Sequence, residues 1–428
     1  MIMRSVNYLA SFPLSVLSLS LCTGLGMSLA VLSVTVAGPA GQQVAPQPWM
    51  ATLPYGLQFF AVMGAAMPLA AMYGRFGRKP VVLAMCSLGF ASGILGYFAL
   101  NTSSFLLLNL AHICLGAFMS ALGSLRFAAA DLVPAEKKAG ALALTNFGGI
   151  FAALIGPTVV RLADPLFGQG NLPSSYLMMS LLLVLMAMIF VATPFRGKNS
   201  SPEAPEPKHQ LQPQGTTPAE TQAPSEIALF AGWLFPFVLV GGATAYGLMS
   251  GLMISSSLEM NSVGVELALF GANFDTFTVN SYLIQLHVLA MFGPSLFTAN
   301  LLNALGQRRF FALGIVVLAC SPIAGLFAPQ VWAFAIALFA LGLGWNMLYV
   351  GGSAVIAAQI QGPQRLRSQG LYDTAASFAS ASASLTASLL LAALTWQGLQ
   401  VASIAVVALF AGVALFTGFG LRDRRPRA

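Results

Sequence analysis

One histidine and three methionines, set in apolar sequence, are the residues whose types and spacing could do chemistry. His287-x-x-x-Met291 lies inside the apolar stretch 277–310, and Met249-x-x-x-Met253 lies in the apolar stretch before it. Four-residue spacing puts each pair on one face of a helix, about one turn apart. Thioethers and imidazole are soft donors of the kind that suits Cu(I). Thioethers bind without losing a proton, and protonation of the imidazole offers a way to release the ion. An ionisable side chain in the middle of a membrane span is costly, so by default it marks a functional site. Methionine is common here, with 18 in 428 residues, and Met63-x-x-x-Met67 repeats the spacing. It also fills apolar gaps readily. Only the placement of both motifs on consecutive apolar stretches gives them weight. Gln58, Met63, Met67 and His112 are further candidates for the same path.

A second chemistry is open to the same chain. Phe59, Phe60, Tyr246, Trp345 and Tyr349 could stack a planar organic solute. With 31 phenylalanines present, their mere occurrence decides nothing. Arg75, Gly77, Arg78, Lys79, Arg126, Asp131 and Asp373 fall at segment ends on one side. They read either as structural pairs and topology charges or as parts of a gate. No paired carboxylates, nucleophile–base set or phosphate loop suggests an enzyme.

The elements that must position these residues are membrane spans. The chain is 57% hydrophobic and 7% charged, with a mean hydropathy of +0.81. Soluble domains carry about 25% charged residues. Spanning-length apolar segments fall at about 13–37, 50–73, 80–100, 104–128, 139–161 and 174–194. Six more follow at about 228–256, 277–301, 310–328, 331–356, 371–394 and 399–421. The chain is therefore expected to be an all-α membrane protein of twelve transmembrane helices. A six-helix bundle over 1–194 and another over 228–428 would flank a disordered linker at 195–227, rich in Pro, Gln, Glu, Ser and Thr. His209 falls in that linker and reads as solvated. The first apolar run is too long for a signal peptide and reads as a membrane helix. Cys22, Cys86, Cys114 and Cys320 sit in four different segments, form no CxxC, and read as packing residues.

Positive charge is arranged topogenically. Arg4, Arg75, Arg78, Lys79, Arg308, Arg309 and the tail arginines lie in loops on one side, with Arg161 opposite. That places both termini and the linker in the cytoplasm and leaves nucleic-acid binding without support, despite a net charge of +7. The halves also repeat. An offset of 229 aligns 73–79 with 302–308, pairing Gln58 with His287 and Gly64 with Gly293. Parallel six-helix repeats are a recurrent transporter plan, with substrate bound near midplane between them.

The turn Gly74-Arg75-Phe76-Gly77-Arg78-Lys79-Pro80, with twelve spans and a long central loop, resembles the major facilitator superfamily. Gly74 stands where that signature carries an acidic residue, so any gating role built on that acid is in doubt. The stretches Gly342-Leu343-Gly344-Trp345-Asn346 and Gln369-Gly370-Leu371-Tyr372-Asp373 also look like bacterial members. Within the superfamily, the paired MxxxM and HxxxM resemble the CcoA-like copper importers, a subfamily that also includes riboflavin transporters. The resemblance implies copper import across the bacterial inner membrane for cuproenzyme assembly. Met249, Met253, His287 and Met291 would form the path, with a cytoplasmic copper chaperone as partner and no prosthetic group. A riboflavin or other small-solute transporter is the alternative, and a non-transporting receptor or assembly partner is a third reading.

Overall fold

The computed structural model describes residues 12–194, 234–269, 272–360 and 363–416. The linker expected at 195–227 lies outside the described residues, as do the first eleven residues and the last twelve. The first half builds α1 (Leu14–Val44), α2 (Leu53–Phe76), α3 (Arg78–Asn101), α4 (Phe105–Leu122), α5 (Ala135–Phe167) and α6 (Asn171–Ala192). A short helix, Leu125–Asp131, continues α4. The second half builds α7 (Leu234–Val263), then α8 in two pieces, Thr276–Phe292 and Ser295–Leu305, then α9 (Gln307–Gly325). Helix α10 runs Val331–Trp345, winds through a π-helical turn at Asn346–Val350, and resumes at Gly351–Gln359. The stretch Pro363–Phe416 holds α11 (363–394) and α12 (396–416), divided at Thr395, whose φ is +62°.

Nine helices among the described residues are long and apolar enough to cross a membrane by length and composition alone. The twelve spans differ from these nine for identifiable reasons. Helices α11 and α12 run together across the kink at Thr395, and Pro294 breaks α8. Helix α5 is rich in small residues. Those small residues have a packing reason. A Cβ added at Gly148 would meet Ser20 O at 2.4 Å, and one at Gly156 would meet Val31 Cβ at 2.8 Å. Backbones of α1 and α5 therefore lie in near contact, as small residues permit between membrane helices. The equivalent pair in the second half, α7 and α11, meets through Gly251 against Ala383 and the Ser250–Ser380 hydroxyl pair.

The repeat is visible in backbone geometry. Gly77 (φ +79°, ψ +160°) ends α2 and Gly306 (φ +74°, ψ +158°) ends α8, 229 residues later. Both need positive φ, which glycine adopts without steric penalty. Each half has its own apolar cluster, and the cluster of the second half also takes in Val31, Val34, Ala37, Tyr55 and Ala152 from the first. Large apolar side chains such as Leu106, Met188 and Leu409 remain exposed, as a lipid-facing surface requires.

Two features were not foreseen. A two-stranded antiparallel hairpin, β1 (Leu267–Leu269) and β2 (Ala272–Phe274), links α7 to α8. Cys320 is exposed rather than packed, and Cys114 is half-buried, whereas Cys22 and Cys86 are buried.

Hydrogen bonds between the halves gather at the end of the bundle away from the basic turns. Thr52 and Ser388 exchange hydroxyl contacts at 2.9 Å, and Ser388 Oγ donates to Trp49 O at 2.6 Å. Asn261 Nδ2 donates to Gln42 Oε1 at 2.7 Å. Arg161 Nη1 donates to Ser281 Oγ at 3.0 Å, and its guanidinium lies 4.0 Å from the Tyr282 ring centroid. A Cβ at Gly56 would sit 2.6 Å from Leu385 Cα.

Candidate functional site

Four helices of the second half bring aromatic rings together. Tyr246 of α7 meets Trp345 of α10 edge-on at 5.5 Å and Tyr349 at 4.8 Å. Trp345 and Tyr349, one turn apart, lie 5.0 Å from each other, and Phe292 of α8 approaches Trp345 at 5.9 Å. Tyr349 stacks on Tyr372 of α11 at 5.3 Å and 9°, and its hydroxyl donates to Asp373 Oδ1 at 3.0 Å. The first half contributes Tyr55 and Phe59 of α2, edge-on to each other at 5.2 Å, to the larger apolar core in which these rings sit. Phe60 is turned out, 36% exposed. Rings from both halves thus share one apolar cluster. The Trp345 indole N–H is buried and has no hydrogen-bond partner among the described residues. Such a donor is costly to leave unmade. An apolar wall with a few polar groups, one of them unsatisfied, is the make-up of a small-molecule site.

His287 lies fully buried on the same stretch of α8. Its Nδ1 is 2.7 Å from Leu338 O of α10. A carbonyl only accepts, so Nδ1 carries the proton and Nε2 presents a bare lone pair. That Nε2 has no partner among the described residues. A backbone carbonyl holding the far nitrogen is the usual support for a metal-ligating histidine. Met249, Met253 and Met291 are each buried in the large apolar cluster that also contains Ile284 and Val288. Among the described residues no three His, Cys, Asp or Glu side chains gather. Metal binding here would rest on methionine sulfur and one imidazole.

The other path candidates behave differently. His112 of α4 is fully buried, with Nδ1 2.8 Å from Gln58 Oε1 and Nε2 2.9 Å from the Tyr176 hydroxyl. Gln58 Oε1 also accepts from Ser33 at 2.7 Å, and Gln58 Nε2 donates to Met119 Sδ at 3.2 Å. This node ties α1, α2, α4 and α6 together and leaves neither imidazole nitrogen free. Met63 is half-buried and Met67 is 84% exposed. The repeat has a physical counterpart here, since Gln58 bridges α2 to α4 while His287, its partner in the alignment, bridges α8 to α10. Sequence reasoning missed Tyr55, Tyr176 and Ser33, none of which stands in a charged or periodic motif, and named Asn346 only as part of the stretch 342–346.

At the basic end, Arg78 pairs with Asp131 at 2.8 Å. Asp131 thus gives the signature turn a carboxylate partner from α4's extension, since position 74 supplies none. Lys79 Nζ donates to Val191 O and Thr193 O at the end of α6. Arg126 and Arg75 lie over the rings of Phe127 and Phe76, at 4.9 and 5.3 Å.

Known proteins agree with this architecture. The riboflavin transporter RfnT of Brucella anthropi is 27% identical over 398 residues, covering 92% of this chain and 93% of that one. The uncharacterized MFS-type transporter YdeG of Bacillus subtilis is 25% identical and covers 84% of this chain and 81% of its own. Among solved structures, a bacterial homologue of the human lysosomal transporter Spinster superposes with a TM-score of 0.68 at 16% identity, over 96% of both chains. The nucleoside transporter NupG does so at 0.63 and 12% identity, over 95% of this chain and 99% of that one. Residues 14–274 and 249–428 each match the Major Facilitator Superfamily. Two matches that overlap slightly and fill almost the whole length are what the paired glycine turns and paired bundles lead one to expect: this chain is a membrane transporter belonging to the Major Facilitator Superfamily.

Proposed function

We propose that this transporter carries a planar, aromatic organic solute of riboflavin type, held against Tyr246, Trp345 and Tyr349. The observation that carries this reading is the aromatic cluster of α7, α8, α10 and α11, which contains an unsatisfied buried donor at Trp345. A flavin-like ring offers a face to stack on the aromatics and a carbonyl edge to accept from the indole N–H. The similarity to a riboflavin transporter supports the same substrate class. The basic turns would face the cytoplasm of a bacterial inner membrane, and the solute would move inward. The test is uptake of labelled riboflavin by cells that lack their own transporter. Wild type should accumulate it, and Trp345→Ala should do so only with a KM raised about tenfold or more. Uptake no higher than that of cells carrying an empty vector would sink the reading.

A second reading is supported by His287. Its fixed tautomer turns the Nε2 lone pair away from Leu338, and Met291 follows one turn later. Copper, as substrate and not as a resident cofactor, would pass along Met249, Met253, His287 and Met291 toward a cytoplasmic chaperone. Radioactive copper uptake that His287→Ala and Met249→Ala both abolish, undiminished by excess riboflavin, would favour this reading over the first.

A further inference from the structure

The segment Gly342–Asn346 is built for close approach. A Cβ at Gly342 would lie 2.5 Å from His287 O, and one at Gly344 would lie 2.8 Å from Leu318 Cα. Helix α10 therefore rests directly on the backbones of α8 and α9. Trp345 and Tyr349 flank the start and body of the π-helical turn Asn346–Val350, a backbone form frequent at functional sites. Asn346, between them, is 0% exposed. Its Nδ2 donates to Met291 O and to Ser295 Oγ, both at 2.7 Å, and its Oδ1 accepts from Thr298 Oγ1 at 2.7 Å.

Those three partners straddle the break in α8. Pro294 has no N–H to give Ala290 O, and its ring disfavours a continuous helix there. Met291 belongs to the piece before the break, Ser295 and Thr298 to the piece after it. One buried amide thus joins the turn bearing the aromatic site to both sides of the break in α8. Beside it lies an apolar cleft of about 410 Å³, lined among others by Pro294, Phe297, Phe339 and Met347.

We propose that Asn346 is a positioning residue for transport, coupling solute at Trp345 and Tyr349 to movement of Ser295–Leu305 and the basic turn behind it. The proposal rests on the aromatic site as the place of solute binding. An amide that merely satisfied backbone groups would affect stability but would not set the response of α8 to solute.

The experiment follows labelling of an Asn303→Cys reporter, at an exposed position on the second piece of α8. The four native cysteines are replaced, and the full chain is held in lipid nanodiscs with and without riboflavin. With Asn346 intact, riboflavin should change the maleimide labelling rate by about fivefold or more, the lower range of allosteric coupling. Asn346→Leu should still quench bound-flavin fluorescence yet show no riboflavin effect on labelling. Thr298→Val, which removes one of the three bonds, should keep part of the response. A full response in Asn346→Leu overturns the proposal. If the wild type binds no riboflavin, the proposed substrate falls, and the coupling is judged on solute-free rates. Faster labelling in Asn346→Leu than in wild type then supports it, and equal rates overturn it. Should Asn346→Leu fail to fold, Thr298→Val carries the same comparisons.

Discussion

The buried node at His112 makes a sharp prediction because its donors and acceptors are fully determined. Gln58 Oε1 can only accept, so His112 Nδ1 carries the proton and Nε2 accepts from the Tyr176 hydroxyl. His112→Leu removes both bonds and strands that hydroxyl, whose residue is 1% exposed. A buried hydroxyl without a partner costs about 1–3 kcal/mol, and with the lost Gln58 bond the total should be about 2–4 kcal/mol. Tyr176→Phe deletes one bond and bares Nε2, at a cost of about 1–2 kcal/mol. In the double variant no hydroxyl is left to strand. Its destabilisation should fall short of the sum by about 0.6–1.7 kcal/mol, the average-to-maximum range for interhelical hydrogen bonds in bilayers. Equilibrium unfolding in mixed micelles measures the cycle, and riboflavin uptake is followed in parallel. Uptake per folded molecule should stay near wild type in all three variants. Strict additivity would refute the assigned bond. Loss of uptake in His112→Leu at wild-type stability would instead put His112 on the transport path.

The remaining predictions concern the site and the closed end. Trp345→Ala should raise the KM for riboflavin about tenfold or more, since a stacked ring is worth about 1–3 kcal/mol; Trp345→Phe, which keeps a ring and loses the donor, should fall between. His287→Leu loses only the bond to Leu338 O and should cost less stability than His112→Leu by micelle unfolding. It should spare riboflavin uptake and abolish any copper uptake. Arg161→Gln removes a cation–π contact worth about 0.5–2 kcal/mol, so probes placed beyond Ser281 should react faster as that end opens. Gly56→Ala sets a Cβ 2.6 Å from Leu385 Cα and should open the same end by the same probes.

The parts of this fold that were legible in the sequence are those with a one-dimensional signature. Span length, loop charge and the 229-residue offset gave the bundles and their repeat, and the glycines at 77 and 306 proved to share a backbone conformation. The linking hairpin was not legible because Leu267–Leu269 and Ala272–Phe274 are too short to separate from the ends of apolar helices. The site was legible only as residue types. Tyr246, Trp345 and Tyr349 could be named as stacking candidates, but 31 phenylalanines hid the fact that Phe292 approaches Trp345 while Phe60 turns away. His112 and His287 look alike in sequence, each a lone histidine in an apolar span. What separates them is a tyrosine 64 residues further on that meets one and has no counterpart at the other. Pairings of that kind depend on which helices become neighbours, and no local pattern carries them.

The distribution of polar contacts bears on how the halves can move. Inside the first half, the node around His112 lies where water cannot replace a broken bond, so separating α2 from α4 would strand buried groups at full cost. Between the halves, the described hydrogen bonds sit at one end; some join partly exposed groups such as Gln42, Asn261 and Arg161, while Thr52 with Ser388 and Asn280 with Thr35 O are buried. Were that end to open, water would take over the exposed groups, each such contact being worth only about 0–1 kcal/mol net, while the buried Thr52–Ser388 pair would cost more. A set of such contacts shifts an equilibrium by a few kcal/mol, which is the scale at which both states stay populated and a bound solute can bias them. The same reasoning makes Asn346 unusual. It is a fully buried polar group whose partners lie on both sides of the break in α8, so any movement at that break would either break its bonds without water or carry the aromatic turn along. The second course would cost less, and it is the coupling proposed for Asn346.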